Sequence, residues 1–303
     1  MRILEVIKYM FRRLWNSREF ILKKSLSVTV SIYAIFGFVR MFVALEGFFN
    51  DNTSFEQKIA VSIAILFVVW LVCLIGVGVH ILFKKKRKLI DGRNGKAVYV
   101  MYGDLFNERN VHKSVERRNI CFAVNRCFDT VVDNRLIASA SVHGIALNRC
   151  YSSQVFTPIT LDAAIQQAIP SSARFKMLSS MEKPQGNLKR YDVGTAVDIP
   201  VSDKLHYFMV GLSAFNADLQ AETSRAEYCL AIQKTIEFCD AHSQGLPVLM
   251  PIIGGFLSRT GQSEEDLLRY IISCLEINKD HINQDIYIVV RESAKNTISI
   301  VDL

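Results

Sequence analysis

The sequence predicts an N-terminal two-helix transmembrane hairpin joined to a cytosolic α/β domain with a mixed sheet flanked by helices. Three observations carry this. Two long apolar runs lie near the N-terminus, basic clusters flank the pair on its outer sides, and the remainder alternates short β-rich runs with helical patterns.

Residues 26–45 and 59–83 are the apolar runs. Each is long enough to cross a hydrocarbon core of about 30 Å at about 1.5 Å per helical residue. The hairpin is therefore assigned to 25–83, with spans over 25–45 and 59–83. Arg2, Lys8, Arg12, Arg13, Arg18, Lys23 and Lys24 precede it, and Lys84, Lys85, Lys86, Arg87 and Lys88 follow. The connection 46–58 carries Glu46, Asp51 and Glu56 against one lysine. By the positive-inside rule both termini are cytoplasmic and the connection lies outside, which predicts a multi-pass membrane protein. A cleaved signal peptide would start its apolar core nearer the N-terminus and would not be followed by a second span.

Segment 1–24 places Ile3, Ile7, Met10, Phe11 and Leu14 at helical spacing with Lys8, Arg12 and Arg13 between them. Two readings fit: an amphipathic helix at the headgroup boundary, or a cytoplasmic helix packed on the following domain. Ser27, Ser31 and Ala34 in the first span, and Ala60 and Ala64 in the second, allow close helix approach and predict a homo-oligomer. Arg40 lies near the outer end of its span, where it either snorkels to the interface or lines a polar seam between helices.

The net charge of +7 comes from basic residues concentrated beside the spans, so membrane topology accounts for it and no nucleic-acid partner is predicted. Cys73, Cys121, Cys127, Cys150, Cys229, Cys239 and Cys274 are scattered and form no Cys-x-x-Cys pair, as expected of reduced cytosolic thiols. The six histidines show no ligand spacing with them, so no metal site is predicted.

Residues 84–96 read as a basic linker ending in the turn formers Asp91, Gly92, Arg93, Asn94 and Gly95, and 97–303 as the ligand-binding domain. Strands are predicted over 97–101, 120–124, 193–199, 206–210 and 246–253, with 286–290 and 298–301 as a terminal hairpin. Helices are predicted over 161–168, 221–241 and 263–278, the last opening on Ser263 followed by Glu264, Glu265 and Asp266. An insertion over 149–190 contains serine pairs and Pro184-Gln185-Gly186, and is predicted to be partly loop.

In layered α/β folds ligands sit at strand ends, where loops and helix N-termini offer N–H groups to anions. Three loops stand there. The first is Gly103 with Asp104, Leu105 and Phe106. The second runs from Asn125 to Gly144 through Phe128, Asp129, Thr130, Ser139, Ala140, Ser141, Val142 and His143. The third holds Gly254, Gly255, Phe256, Leu257, Ser258 and Arg259. A carboxylate accepting from an exocyclic amine, small-residue loops against a diphosphate and an arginine would suit an adenine diphosphate nucleotide. Singly, Asp104 is equally a turn residue, the glycine pair a tight turn, and His143 a partly buried histidine.

The order of these pieces resembles a macro domain. Gly103-Asp104-Leu105 is similar to the strand-end motif whose aspartate meets the adenine amine, Val124-Asn125 to the start of the Val-Asn motif, and 139–144 and 251–258 to the two diphosphate loops. With the hairpin, and with the stretch from Phe128-Asp129-Thr130 to His143-Gly144, the chain resembles the membrane-anchored macro-domain effectors of type II Thoeris antiphage systems. That resemblance implies an ADP-ribose-type ligand, a histidine conjugate made by a partner TIR-domain enzyme, and no other cofactor. It also implies oligomerisation and disruption of the inner membrane that aborts infection.

Phe128 stands where hydrolytic members carry a second asparagine, Phe256 where glycine is usual, and Ser258 where a stacking aromatic is common. No catalytic residue is assigned, and a non-enzymatic effector is expected. His143 and Phe256 become candidates for the terminal ribose or its substituent. The alternative is a membrane-tethered ADP-ribosyl hydrolase in which Asn125 and Asp129 handle a water. A third reading is a structural tether with a degenerate pocket.

Overall fold

The computed structural model describes residues 2–40, 54–110, 117–255 and 261–303. The side chain of Arg40, most of the connection 46–58, and Phe256, Leu257, Ser258 and Arg259 lie outside the described residues. The chain divides into two compact units, Met1–Lys85 with Lys295–Leu303, and Lys86–Ala294.

The first unit contains α1 (Arg2–Asn16), α2 (Arg18–Arg40) and α3 (Phe55–Phe83). Both α2 and α3 are long and apolar enough to cross a membrane. Helix α3 opens on a capping box in which Ser54 accepts from the Gln57 N–H and the Gln57 side chain accepts from the Ser54 N–H. At its other end Arg13 of α1 is buried and donates to the carbonyls of Ile81 at 2.8 Å, Leu82 at 2.7 Å and Lys84 at 3.1 Å. A cation on the last carbonyls of a helix favours its dipole and ties α1 to α3. Ile7, Phe11 and Trp15 recur every four residues on α1 and are exposed, with Phe11 stacked on Trp15.

The predicted hairpin of 286–290 with 298–301 does not form. Residues 286–290 are a strand bounded on both sides by parallel partners, so no edge is left for an antiparallel return. Ile298, Ile300 and Val301 are instead buried within the first unit, where Ser299 shares a hydrogen bond with Ser17 and the Asn296 carbonyl accepts from Asn16.

The second unit is built in chain order from β1 (Lys86–Asp91), β2 (Ala97–Tyr102), β3 (Arg118–Asn125), α4 (Val142–Ser152), α5 (Pro158–Ala168), β4 (Phe175–Met177), β5 (Lys189–Tyr191), β6 (Ala196–Ser202), β7 (Leu205–Phe215), β8 (Ala221–Glu222), α6 (Arg225–His242), β9 (Val248–Pro251), α7 (Glu264–Ile277) and β10 (Ile286–Val290). The main sheet runs β1-β2-β10-β9-β3-β7-β6, with β8 paired to β7. Strands β2, β10, β9, β3 and β7 are mutually parallel, and β1 and β6 close the edges antiparallel. The inner strands are apolar on both faces, as a doubly covered sheet requires. Phe122 and Tyr207 pack with Leu147 and Leu161 of α4 and α5, whereas Phe208, one residue on, meets Phe238 of α6.

Strand β1 lies in the stretch predicted as a linker. Its alternating basic residues read as unstructured, yet Lys86 stands over the Tyr99 and Tyr287 rings at 3.9 and 4.4 Å, and a lysine-bearing edge discourages further strand pairing. The insertion 149–190 holds the end of α4, all of α5 and the ribbon β4–β5. It also closes on a fully buried Lys183, whose ammonium donates to both Asp129 oxygens at 2.9 and 2.8 Å and to the Asn187 carbonyl at 2.7 Å. Burial pushes the Asp129 carboxyl up, and Lys183 together with the Asn187 N–H draws it back. Gly186, with φ of +81°, approaches so closely that a Cβ would strike the Asp129 carboxylate.

Removing one partner of a buried pair leaves the other charge without compensation. Lys183→Met is expected to destabilise the second unit by about 3 to 5 kcal/mol. Asp129→Leu combined with Lys183→Met recovers most of the loss. Thermal unfolding followed by circular dichroism reads both, and additive losses would refute the coupling.

Candidate functional site

Parallel β2, β10, β9 and β3 all end on one edge of the sheet, and a cleft of about 340 Å³ lies there. That volume suits a small-molecule ligand. Gly103 and Asp104 follow β2, Ala123 lies two residues before the end of β3, Pro251 ends β9 and Arg291 follows β10. The N-termini of α4 and α7 also open here.

Asp104, Leu105 and Phe106 line the cleft as one strand-end turn. The Asp104 carboxylate accepts from the Phe106 N–H at 3.0 Å and stands 4.0 Å from Arg149, whose guanidinium lies over the Phe106 ring at 4.9 Å. One carboxylate oxygen is thus fixed by backbone while the side chain stays largely exposed. This geometry presents an acceptor beside an apolar wall.

Ser141, Val142 and His143 belong to the start of α4 rather than to a loop. Ser141 is the N-cap: its hydroxyl accepts from the Gly144 N–H at 2.9 Å and donates to the Ala138 carbonyl at 2.7 Å. A Cβ on Gly144 would collide with the Ala138 carbonyl, so glycine permits this tight entry. Ser141, Val142 and His143 line the cleft. Gly254 and Gly255 line the same cleft, and Gly254 has φ of +87°, a conformation suited to glycine.

A second cavity of about 310 Å³ adjoins the first through Ala123, Ser141 and His143. Asn125, Asn134, Arg135 and Gln220 contribute to its lining. The Asn125 side-chain oxygen accepts from the Cys127 N–H at 3.0 Å and the Asp129 N–H at 3.4 Å, which leaves its amide NH₂ as the group for other contacts.

Asp129 and Thr130 sit away from both cavities. Asp129 is engaged with Lys183, and Thr130 donates to the Pro158 carbonyl at 3.1 Å while its own carbonyl accepts from Tyr151. Ser139 lines neither cavity, its N–H donating to Asn134 at 2.8 Å. Glu264, Arg291 and Lys183 were not singled out by sequence. The acidic start of α7 marked Glu264 as a helix-dipole residue, but Arg291 and Lys183 carried no local signal.

His143 lies between the cavities, 6.2 Å from the Phe122 ring, and burial pushes its imidazole down to about 3. It is neutral at physiological pH. Because its folded pKa lies below the unfolded value, protonation favours the unfolded chain. The penalty is absent above about pH 6.5 and grows as pH falls toward 3, reaching on the order of 2 kcal/mol near pH 5. His143→Gln is expected to flatten the stability profile between pH 6.5 and 5 by that amount in chemical denaturation. Parallel profiles for the two proteins would contradict this.

Residues 98–291 match the family described as Thoeris protein ThsA, Macro domain. The Thoeris protein ThsA of Bacillus amyloliquefaciens (strain Y2) is 27% identical over 210 residues, covering 68% of this chain and 62% of that protein. The chain therefore spans less than two thirds of that relative's length. Among solved structures, the Oceanobacillus iheyensis macrodomain with ADP is 14% identical, with 71% of this chain and 93% of that one covered and a TM-score of 0.41. The same macrodomain with MES bound is 16% identical, with coverage of 70% and 90% and a TM-score of 0.40. With its pattern matched over well over half of the sequence, this chain belongs to the macro-domain family of Thoeris protein ThsA.

Proposed function

We propose that the protein is a non-enzymatic receptor and effector of antiphage defence that binds an ADP-ribose-type messenger in its strand-end cleft. The observation that carries this is the convergence of the Asp104 acceptor, the capped start of α4 and the Gly254–Gly255 wall on one cavity. Asp104 faces the adenine amine, and the backbone near Ser141 to Gly144 and at Gly254 and Gly255 receives the diphosphate. Leu105 and Phe106 form the apolar floor. The terminal ribose and its substituent, a histidine in the ligand made by a TIR-domain enzyme, extend past His143 into the second cavity beside Asn125.

The absence of a catalytic role is supported by the hydrogen bonds of the two groups a hydrolase would use. Asp129 is paired with Lys183, and the Asn125 oxygen is held by two backbone N–H groups. The ion-paired Asp129 is not a poised general base, and Asn125 keeps only its NH₂ for other contacts.

On this reading α2 and α3 form an inner-membrane hairpin with cytoplasmic termini. The exposed Ile7, Phe11 and Trp15 stripe of α1 rests at the headgroup boundary. Ligand drives association of several copies, and the clustered hairpins breach the membrane. Such coupling requires tighter binding to the assembled state than to the resting one.

Full-length protein in anionic-lipid vesicles loaded with a self-quenching dye tests the sequence of events. ADP-ribose or its histidine conjugate is expected to trigger leakage. Asp104→Ala weakens binding by roughly 10- to 100-fold, and Gly255→Glu places a carboxylate where phosphates would lie. Both variants are expected to remain membrane-bound and silent. Leakage undiminished in both would remove the site assignment.

A further inference from the structure

Glu264 and Arg291 reach the cleft from neighbouring elements and pair with each other. Glu264 is the first residue of α7, and Arg291 directly follows β10. An Arg291 Nη2 nitrogen lies 3.0 Å from Glu264 Oε1 and 3.1 Å from Oε2, so one guanidinium nitrogen serves both carboxylate oxygens. Both residues line the same cavity as Asp104 and Gly254.

The carboxylate stands against the glycine wall. Glu264 Oε1 is 3.2 Å from the position a Cβ on Gly255 would take. An anion of the protein itself therefore sits on the side of the cleft where a ligand's phosphates would come, and it holds a guanidinium of that cleft. A carboxylate at the start of α7 is favoured by the helix dipole, so its place is stable without a ligand. The two side chains are 24% and 54% exposed, and a solvent-accessible pair of this kind is weak enough to exchange. A diphosphate has more charge and more acceptor oxygens than one carboxylate, and it matches the guanidinium fork.

We propose that Glu264 is an internal competitor for the phosphate subsite and that Arg291 is the group exchanged between Glu264 and the ligand. In the unliganded cleft Glu264 holds Arg291. A ligand carrying a diphosphate takes Arg291 over and leaves Glu264 beside an anion, a penalty that raises the charge a ligand must bring. A neutral nucleoside gains nothing from the exchange, so the pair selects for diphosphates over nucleosides. Glu264 and Arg291 are specificity determinants of the site, and this inference rests on the nucleotide reading given above.

Calorimetric titration of the detergent-solubilised full chain with ADP-ribose, its histidine conjugate and adenosine tests it. Glu264→Gln is expected to tighten ADP-ribose binding by about three- to tenfold, and Arg291→Gln to weaken it by a similar factor. Adenosine affinity is expected to stay within twofold in both variants. Opposite shifts from two variants cannot arise from loss of folding. Weaker ADP-ribose binding by Glu264→Gln, or an adenosine affinity that moves in step with ADP-ribose, would overturn the exchange while leaving the nucleotide site in place. Failure of the unaltered protein to bind either ADP-ribose or its histidine conjugate would overturn the nucleotide reading, and the exchange with it.

Discussion

The parallel pairing of β2, β10, β9 and β3 is the constraint on which the second unit depends. Parallel strands buried on both faces need helical crossovers, and those crossovers return every chain reversal of one kind to the same edge. Asp104, the start of α4, the Gly254–Gly255 wall and Arg291 are far apart in sequence, yet they meet because each follows a strand that ends there. The same pairing denies β10 an antiparallel neighbour, which sends the last residues of the chain to the helical unit. A single feature of sheet topology thus assembles the cleft and determines the fate of the C-terminal segment.

Charge inside the cleft is arranged rather than merely present. Asp104 is fixed by the Phe106 N–H and approached by Arg149, Glu264 is held by Arg291, and His143 is neutral because burial disfavours its charged form. Behind this surface the charges of Asp129 and Lys183 are engaged with each other. The full burial of this pair, and the glycine that must stand against it, make it a fastening between the strand-end loop and the insertion. Such a pair is costly to desolvate and strongly destabilising when half removed, so its consequence is a defined loop position more than net stability.

Much of this was legible in the sequence. The apolar runs, the alternation of strands and helices, and the turn chemistry at Asp104 and Gly254 are local signals, and the structure has helices and strands where they lie. The loop predicted to end at Gly144 contained a helix start, which Ser141 signalled by its capping chemistry but which the preceding serines and alanine obscured. The basic stretch predicted as a linker forms β1 through its pairing with β2, and Lys86 stands over two aromatic rings, contacts that are not local. Asp129 read as a ligand residue because its partner lies 54 positions away, and the same distance hid Lys183. Glu264 and Arg291 escaped for the same reason: a pair separated by 27 residues has no sequence signature.

The proposed binding of an ADP-ribose-type messenger in the strand-end cleft has a direct test. The most direct measurement is the binding stoichiometry and oligomeric state of the full chain, by equilibrium dialysis and light scattering, with ADP-ribose and its histidine conjugate. One ligand per chain, tighter retention of the conjugate and a rise in mass on saturation are expected. No retained ligand of either kind, with unchanged mass, would contradict it.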